Sequence, residues 1–211
     1  MSNILLSSRA FINKNITRSF INLLGNVDFE IDQIVIIVNS VKEGKNHPKM
    51  IELQKTVQAL GFKNVILFDA LADNPIILEN AKAVILNGGY EFLLLDNLKK
   101  AGIIDFLQKL AIKGKPFYGI SAGAIVLGPD LDLYDELYPE DNINNDIDMT
   151  SINATGFRIY PHYDAHLKLD GHLQETISNF EEKTGKSITR LTNEQGILIR
   201  NDEGILIGPD K

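Results

Sequence analysis

Four short stretches of this chain are apolar almost without interruption: Gln33 to Val38 (QIVIIV), Asn64 to Phe68 (NVILF), Ala83 to Leu86 (AVIL) and Pro116 to Ile120 (PFYGI). A strand with one face in water alternates apolar and polar residues. Runs like these suit strands covered on both faces, as in a parallel sheet. Segments of helical spacing separate them. Ile16 to Leu24 places Ile16, Phe20, Ile21 and Leu24 ahead of Gly25, and Pro48 to Leu60 places Ile51, Leu53, Val57 and Leu60 ahead of Gly61. Further helices are predicted over Ile76 to Ala81, Phe92 to Lys100 and Ile103 to Ile112, and Asn3 to Ser7 supplies a leading strand. The alternation predicts an α/β fold, a mostly parallel sheet with helices on both faces. No repeat, low-complexity segment or linker interrupts it, so residues 1–211 are expected to form a single domain.

Beyond Leu127 the character changes. Gly128 to Asn145 (GPDLDLYDELYPEDNINN) is acidic and rich in turn residues, and is expected to be a surface loop over the site. Phe157 to Pro161 reads as a strand delivering His162, and Leu169 to Thr184 as one amphipathic helix. Ser187 to Leu191, Gly196 to Arg200 and Gly204 to Ile207 read as terminal strands, the last two joined by a hairpin at Asn201-Asp202-Glu203-Gly204.

Composition removes several function classes. The net charge is -7 and the 21 Lys and Arg residues are scattered, so no nucleic-acid partner is expected. No apolar run approaches the roughly 20 residues of a membrane helix. The opening MSNILLSSRAFINKN has no basic segment leading into a long apolar one, so a cytoplasmic location is expected and no membrane partner. The absence of cysteine excludes disulfides, thiolate metal sites and a cysteine nucleophile. Oligomeric state is left open.

Gly119-Ile120-Ser121-Ala122-Gly123 fits the G-x-S-x-G nucleophile elbow at a strand-to-helix junction. A serine hydroxyl needs a base to take its proton, and a sharp turn lifts it to where a base can reach. The first amides of the following helix then face a developing oxyanion. The plainer reading of the same five residues is a small-residue helix start that lets strand and helix pack closely. Gly88 and Gly89 end another strand, where a backbone without side chains lets a ligand approach. Of the four histidines, His47 reads as a surface or capping residue and His172 begins a helix. His162 follows a strand and Pro161, which makes it the candidate base. His162, Asp164 and His166 also spell H-x-D-x-H, but the spacing matches no zinc motif, and neither metal nor organic cofactor is expected.

Together AVILNGGYEF, YGISAGA and YPHYD resemble the serine peptidase family of bacterial aspartyl dipeptidase and cyanophycinase. The resemblance runs from about Ile34 to Ile207 and implies a class I glutamine-amidotransferase-like fold in which serine replaces the usual cysteine. It implies Ser121 as nucleophile, His162 as general base and the amides of Gly89 and Ala122 as oxyanion hole. It also implies an acidic triad member soon after the elbow. Glu136 falls at the offset implied, and Asp135 is adjacent. Gly88, Tyr90 and Glu91 would line the substrate site. The activity implied is hydrolysis of small peptides, dipeptidase-like, without a cofactor.

Two departures bear on substrate. The aspartyl dipeptidases read Gly-Gly-Asn-Thr-Phe where this chain has Gly88-Gly89-Tyr90-Glu91-Phe92. They also carry an arginine after the histidine strand that GHLQETISNF lacks. A cation is wanted for an acidic side chain, so peptides with a free amino terminus or a basic residue are expected to be preferred over Asp-Xaa dipeptides. Two alternatives stand beside the peptidase. An α/β-hydrolase-type esterase would share the order Ser, acid, His, though that fold usually places more strand-helix units between Ser and acid, and His near the end. A non-catalytic homologue would keep the crevice only for binding.

Overall fold

The computed structural model describes residues 2–210. Its main sheet contains five parallel strands, β1 (Asn3–Ser7), β2 (Gln33–Ile37), β3 (Asn64–Phe68), β4 (Ala83–Leu86) and β5 (Phe117–Ile120). A short parallel pair, β6 (Arg158–Tyr160) and β7 (Ile188–Arg190), forms a separate ribbon. Two antiparallel strands, β8 (Gly196–Arg200) and β9 (Glu203–Ile207), extend the main sheet to the order β3-β2-β4-β5-β1-β8-β9. The fold is thus α/β with a mostly parallel sheet, of the class I glutamine-amidotransferase-like type.

The apolar runs divide cleanly between two cores because successive strand residues point to opposite faces. Ile4, Leu6, Val35, Ile37, Val84, Leu86 and Phe117 face one core. Leu5, Ile34, Ile36, Ala83, Ile85, Tyr118 and Ile120 face the other. Helices α1 (Lys14–Leu24) and α2 (Pro48–Ala59) cover the second face with Ile16, Phe20, Leu23, Leu53 and Val57. The first face is covered by α3 (Ile76–Asn80), α4 (Glu91–Lys100), α5 (Ile104–Ile112) and α6 (Ala122–Val126), through Leu78, Leu94, Leu98, Leu107 and Ala124. A full Leu or Ile burial contributes about 1.5–3 kcal/mol, which is why strands this short are held so firmly.

Two stretches depart from the sequence reading. The expected loop from Gly128 to Asn145 contains a helix, α7 (Asp132–Leu137), with Leu133 and Tyr134 buried. Its carboxylates conceal a helical stripe of Leu133, Tyr134, Leu137 and Tyr138. The expected helix from Leu169 to Thr184 starts only at Leu173, as α9 (Leu173–Thr184), and a further helix that the sequence reading does not include, α8 (Tyr163–Leu169), precedes it. The break falls at Asp170 and Gly171, where the Asp170 carboxylate accepts the His172 amide at 2.9 Å and so offers the backbone a turn instead of a helix. Between β8 and β9, Asn201 and Asp202 both take positive φ, 52° and 67°, as a two-residue hairpin turn requires.

One close contact fixes where the site forms. Helix α6 lies so near the carboxyl end of β4 that a Cβ on Gly123 would stand 2.0 Å from the Leu86 carbonyl oxygen. Gly156 has open space around the same position. Gly123→Ala is therefore expected to lower the melting temperature by several degrees or to prevent folding, whereas Gly156→Ala leaves it nearly unchanged. Thermal melts of the two variants check this.

Candidate active site

Ser121 ends β5 and caps α6 with φ 50° and ψ -116°, a conformation that L-residues adopt only when their surroundings enforce it. Neighbours hold it there. Its amide donates to the Ser7 carbonyl at 2.9 Å, and its own carbonyl accepts from Ala124 at 2.8 Å. Beside it lies the end of β4, where a Cβ on Gly88 would stand 3.1 Å from the Ser121 Cβ. The two glycine-bearing turns thus meet at one crevice at the strand ends. Gly89 has φ 156°, and a Cβ there would stand 2.4 Å from the Ser40 carbonyl oxygen. Ser40 clamps this turn twice, its carbonyl accepting from Tyr90 at 2.9 Å and its hydroxyl donating to Gly88 at 3.0 Å. Among the described residues, the amides of Gly89 and Ala122 donate to no recorded acceptor.

His162 arrives from β6 in a left-handed conformation, φ 58°. Its amide donates to the Ser8 hydroxyl at 3.1 Å, so the end of β1 positions it. The imidazole Nε2 lies 3.0 Å from Ser121 Oγ. On the other side Nδ1 lies 2.6 Å from Asn193 Oδ1. With the ring proton on Nδ1 donating to Asn193, Nε2 is left as acceptor for the serine hydroxyl. Asn193 sits between β7 and β8, and its own amide donates to Asp164 Oδ1 at 2.7 Å.

The structure does not bring the expected acid to the histidine. Asp135 accepts from the Asn142 amide at 2.8 Å, and Glu136 is exposed and pairs with Lys183 at 3.1 Å. The reason is helical phase. Once Asp132–Leu137 is a helix with Tyr134 turned inward, Asp135 and Glu136 fall on its outer side. Asn193 was missed because an amide in a Thr-Asn-Glu-Gln-Gly loop carries no chemical signature of its own. The one available hint was its place just past a strand end. The H-x-D-x-H residues have other partners: both His162 nitrogens are engaged, Asp164 holds the Asn193 amide, and His166 Nδ1 lies 3.0 Å from the Tyr160 hydroxyl. Burial and the neighbouring His162 hold the pKa of His166 below the ordinary value. His47 caps α2, accepting from the Lys49 amide at 3.1 Å, and His172 is exposed at the start of α9.

Ser121 and His162 open into a cavity of about 560 Å³, bordered by Gly89, Tyr90, Glu91, Tyr138 and Tyr160. A second cavity of about 650 Å³ adjoins it, and Tyr90, Glu91 and Asp141 belong to the walls of both. Tyr90 is 66% exposed there. Burial pushes the Glu91 carboxyl up to about 7; its own amide works against the shift and Asp141 adds to it. The unfolded chain releases this proton near the ordinary carboxyl value, so folded protein binds more protons through the interval from about 4.5 to about 7. Stability from this group is full below that interval and falls as pH rises through it. Glu91→Gln is therefore expected to melt several degrees higher than wild type at pH 8 and at the same temperature at pH 4. Paired melts across that range check it.

Comparison with known proteins agrees with this architecture. The family model of peptidase family S51 matches residues 44–207. An uncharacterized peptidase of Pasteurella multocida is 29% identical over 143 residues, 68% of this chain and 64% of that protein. A peptidase E of Nostoc is 28% identical over 115 residues, 53% of this chain but only 44% of that protein. The chain thus spans between about two fifths and two thirds of the length of such relatives. Among solved structures, a candidate peptidase E protein of Listeria monocytogenes EGD-e superposes with a TM-score of 0.78 at 19% identity, covering 97% of both chains. A peptidase from an acI-B1 Actinobacterium superposes with a TM-score of 0.65 at 15% identity, covering 97% of this chain and 86% of that one. With a family match across most of its length, the chain belongs to peptidase family S51.

Proposed function

We propose that this protein is a serine peptidase that hydrolyses short peptides, with Ser121 as nucleophile and His162 as general base. The observation that carries the reading is the Ser121 Oγ to His162 Nε2 distance of 3.0 Å at a strained strand-to-helix turn. As Oγ attacks the scissile carbonyl carbon, its proton passes to Nε2. The oxyanion is received by the amides of Gly89 and Ala122, which are not spent elsewhere among the described residues. The tetrahedral adduct collapses as the imidazolium gives its proton to the leaving nitrogen. Water, deprotonated in turn by His162, then hydrolyses the acyl-enzyme and restores the serine. A cavity of about 560 Å³, walled by Tyr90, Tyr138 and Tyr160, suits short peptides better than a folded chain. The family match favours this reading over the α/β-hydrolase esterase.

The third member of the set is Asn193. It touches no substrate in this scheme and acts as a positioning residue, fixing the Nδ1–H tautomer while Asp164 fixes Asn193. An amide supplies direction without charge, so the imidazolium formed during attack gains less from it than from a carboxylate. That neutrality is also what supports a second reading, a crevice that binds peptides without cleaving them. A fluorophosphonate separates the two, because it labels an activated serine and leaves a pure binder untouched.

Ser121→Ala and His162→Ala are each expected to lower kcat by at least about 10³, and the double variant is expected to be hardly worse than either. Additive losses, or full activity in one single variant, would overturn the pairing. Asn193→Ala is expected to lower kcat more than it changes KM. Asn193→Asp is expected to keep activity and move the acid limb of the kcat/KM profile to higher pH, since a carboxylate facing the ring favours its protonated form. A merely structural Asn193 would leave the profile where it is.

A further inference from the structure

The chain's acidic residues differ sharply in what surrounds them. Asp130 is held by Arg158 at 2.6 Å and by Lys186 at 3.2 Å, Asp132 also meets Lys186, and Glu136 meets Lys183. Elsewhere along the larger cavity Asp96 meets Lys100 at 2.6 Å and Asp148 meets Lys99 at 3.7 Å. Glu91 and Asp141 have no such partner: among the described residues, neither lies within ion-pair distance of a cation. Yet these two stand where the cavities join, Glu91 at the start of α4 just past the clamped Gly88-Gly89 turn.

A helix N-terminus eases a negative charge but does not replace the water that burial removes. A cation arriving with a ligand would. We propose that Glu91, with Asp141 beside it, is the subsite that receives a primary ammonium group of the peptide substrate. The proposal rests on the peptidase reading for its role in cleavage, though not for binding. Glu91 follows Gly89 by two residues, so an ammonium held there lies close to the carbonyl that Ser121 attacks. This arrangement selects peptides cut near a positive end. Arg158 borders neither cavity and is committed to Asp130 through a forked contact from Nε and Nη2.

Binding to the Ser121→Ala protein tests the subsite without turnover. Calorimetric titrations would compare trialanine with N-acetyl-trialanine, and N-acetyl-Lys-Ala-Ala with its norleucine counterpart. The expected result is about tenfold or greater tighter binding of the ammonium-bearing member of at least one pair, lost when Glu91→Gln is added. A preference in the first pair assigns the site to the α-amino group, and in the second to a lysine side chain. Equal affinity within both pairs, a preference that survives Glu91→Gln, or no measurable binding of any peptide would overturn the proposal. Fluorophosphonate labelling of wild type reads the other question separately. Labelling without an ammonium preference sinks the subsite and keeps the peptidase; a preference without labelling keeps the subsite and sinks the peptidase.

Discussion

A carbonyl oxygen with no space in front of it organises this molecule. Leu86 ends β4, and α6 passes so close that position 123 admits only hydrogen. The neighbouring Gly119 is as confined, for a Cβ there would stand 2.7 Å from the Ala124 Cα. With β5 and α6 pressed together, the chain between them has one residue in which to reverse direction. That residue is Ser121, and its positive φ follows from the geometry of its neighbours. Strain of this kind costs on the order of 1–3 kcal/mol, which the two buried cores on either side of the sheet offset many times over. The same compression brings Gly88 against the Ser121 side chain, so Ser121 and the glycine turn are placed by a single packing event.

The parallel sheet was legible because its strands are buried on both faces and so carry no competing pattern. Asn64–Phe68 and Ala83–Leu86 have the bounds that their apolar runs suggest, and Gln33–Ile37 differs by one residue. Ser121 and His162 were legible for a different reason: a serine between glycines at a strand end and a histidine after an apolar strand are chemically distinctive. What failed lies where one signal masked another. In Asp132–Leu137 the charges suggested a loop while Leu133, Tyr134 and Leu137 kept a helical period. A loop has no helical phase, and without phase Asp135 and Glu136 are as available to a histidine as any carboxylate. Asn193 was hidden more deeply. It meets His162 only because β7 pairs with β6 in a ribbon apart from the main sheet, a long-range arrangement that local pattern does not encode.

The positioning of His162 shows how several weak contacts replace one strong one. Its backbone is fixed by Ser8, just past β1, and its ring by Asn193 from the β7–β8 connection, while Tyr163 donates to the Leu191 carbonyl at 2.9 Å. Two separate parts of the chain, the segment after β1 and the β7–β8 connection, therefore have to be in place before His162 points at Ser121. Each such hydrogen bond is worth only about 0.5–1.5 kcal/mol net. Their value is geometric, since proton transfer tolerates little error in distance.

The electrostatics of the crevice follow from pairing more than from net charge. The acidic stretch after Leu127 suggests a broadly negative surface, yet Arg158, Lys183 and Lys186 neutralise much of it at short range. Screening over about 8–10 Å further mutes whatever exposed carboxylates remain. A buried charge is screened less, because little water or salt reaches it. Glu91 therefore weighs more at the reaction centre than the more numerous carboxylates on the surface. Its charge reaches the buried Tyr134 and Tyr160 hydroxyls and helps to keep them protonated. A crevice of this construction combines neutral hydrogen-bonding groups around Ser121 with a carboxyl pair, Glu91 and Asp141, beside the Gly88-Gly89 turn, and burial favours charging Glu91 only when a cation arrives with it. Attraction between that charge and a positive substrate end acts in ground state and transition state alike. In the proposed scheme it therefore sets which peptides are held, while bond breaking falls to Ser121, His162 and the two amides.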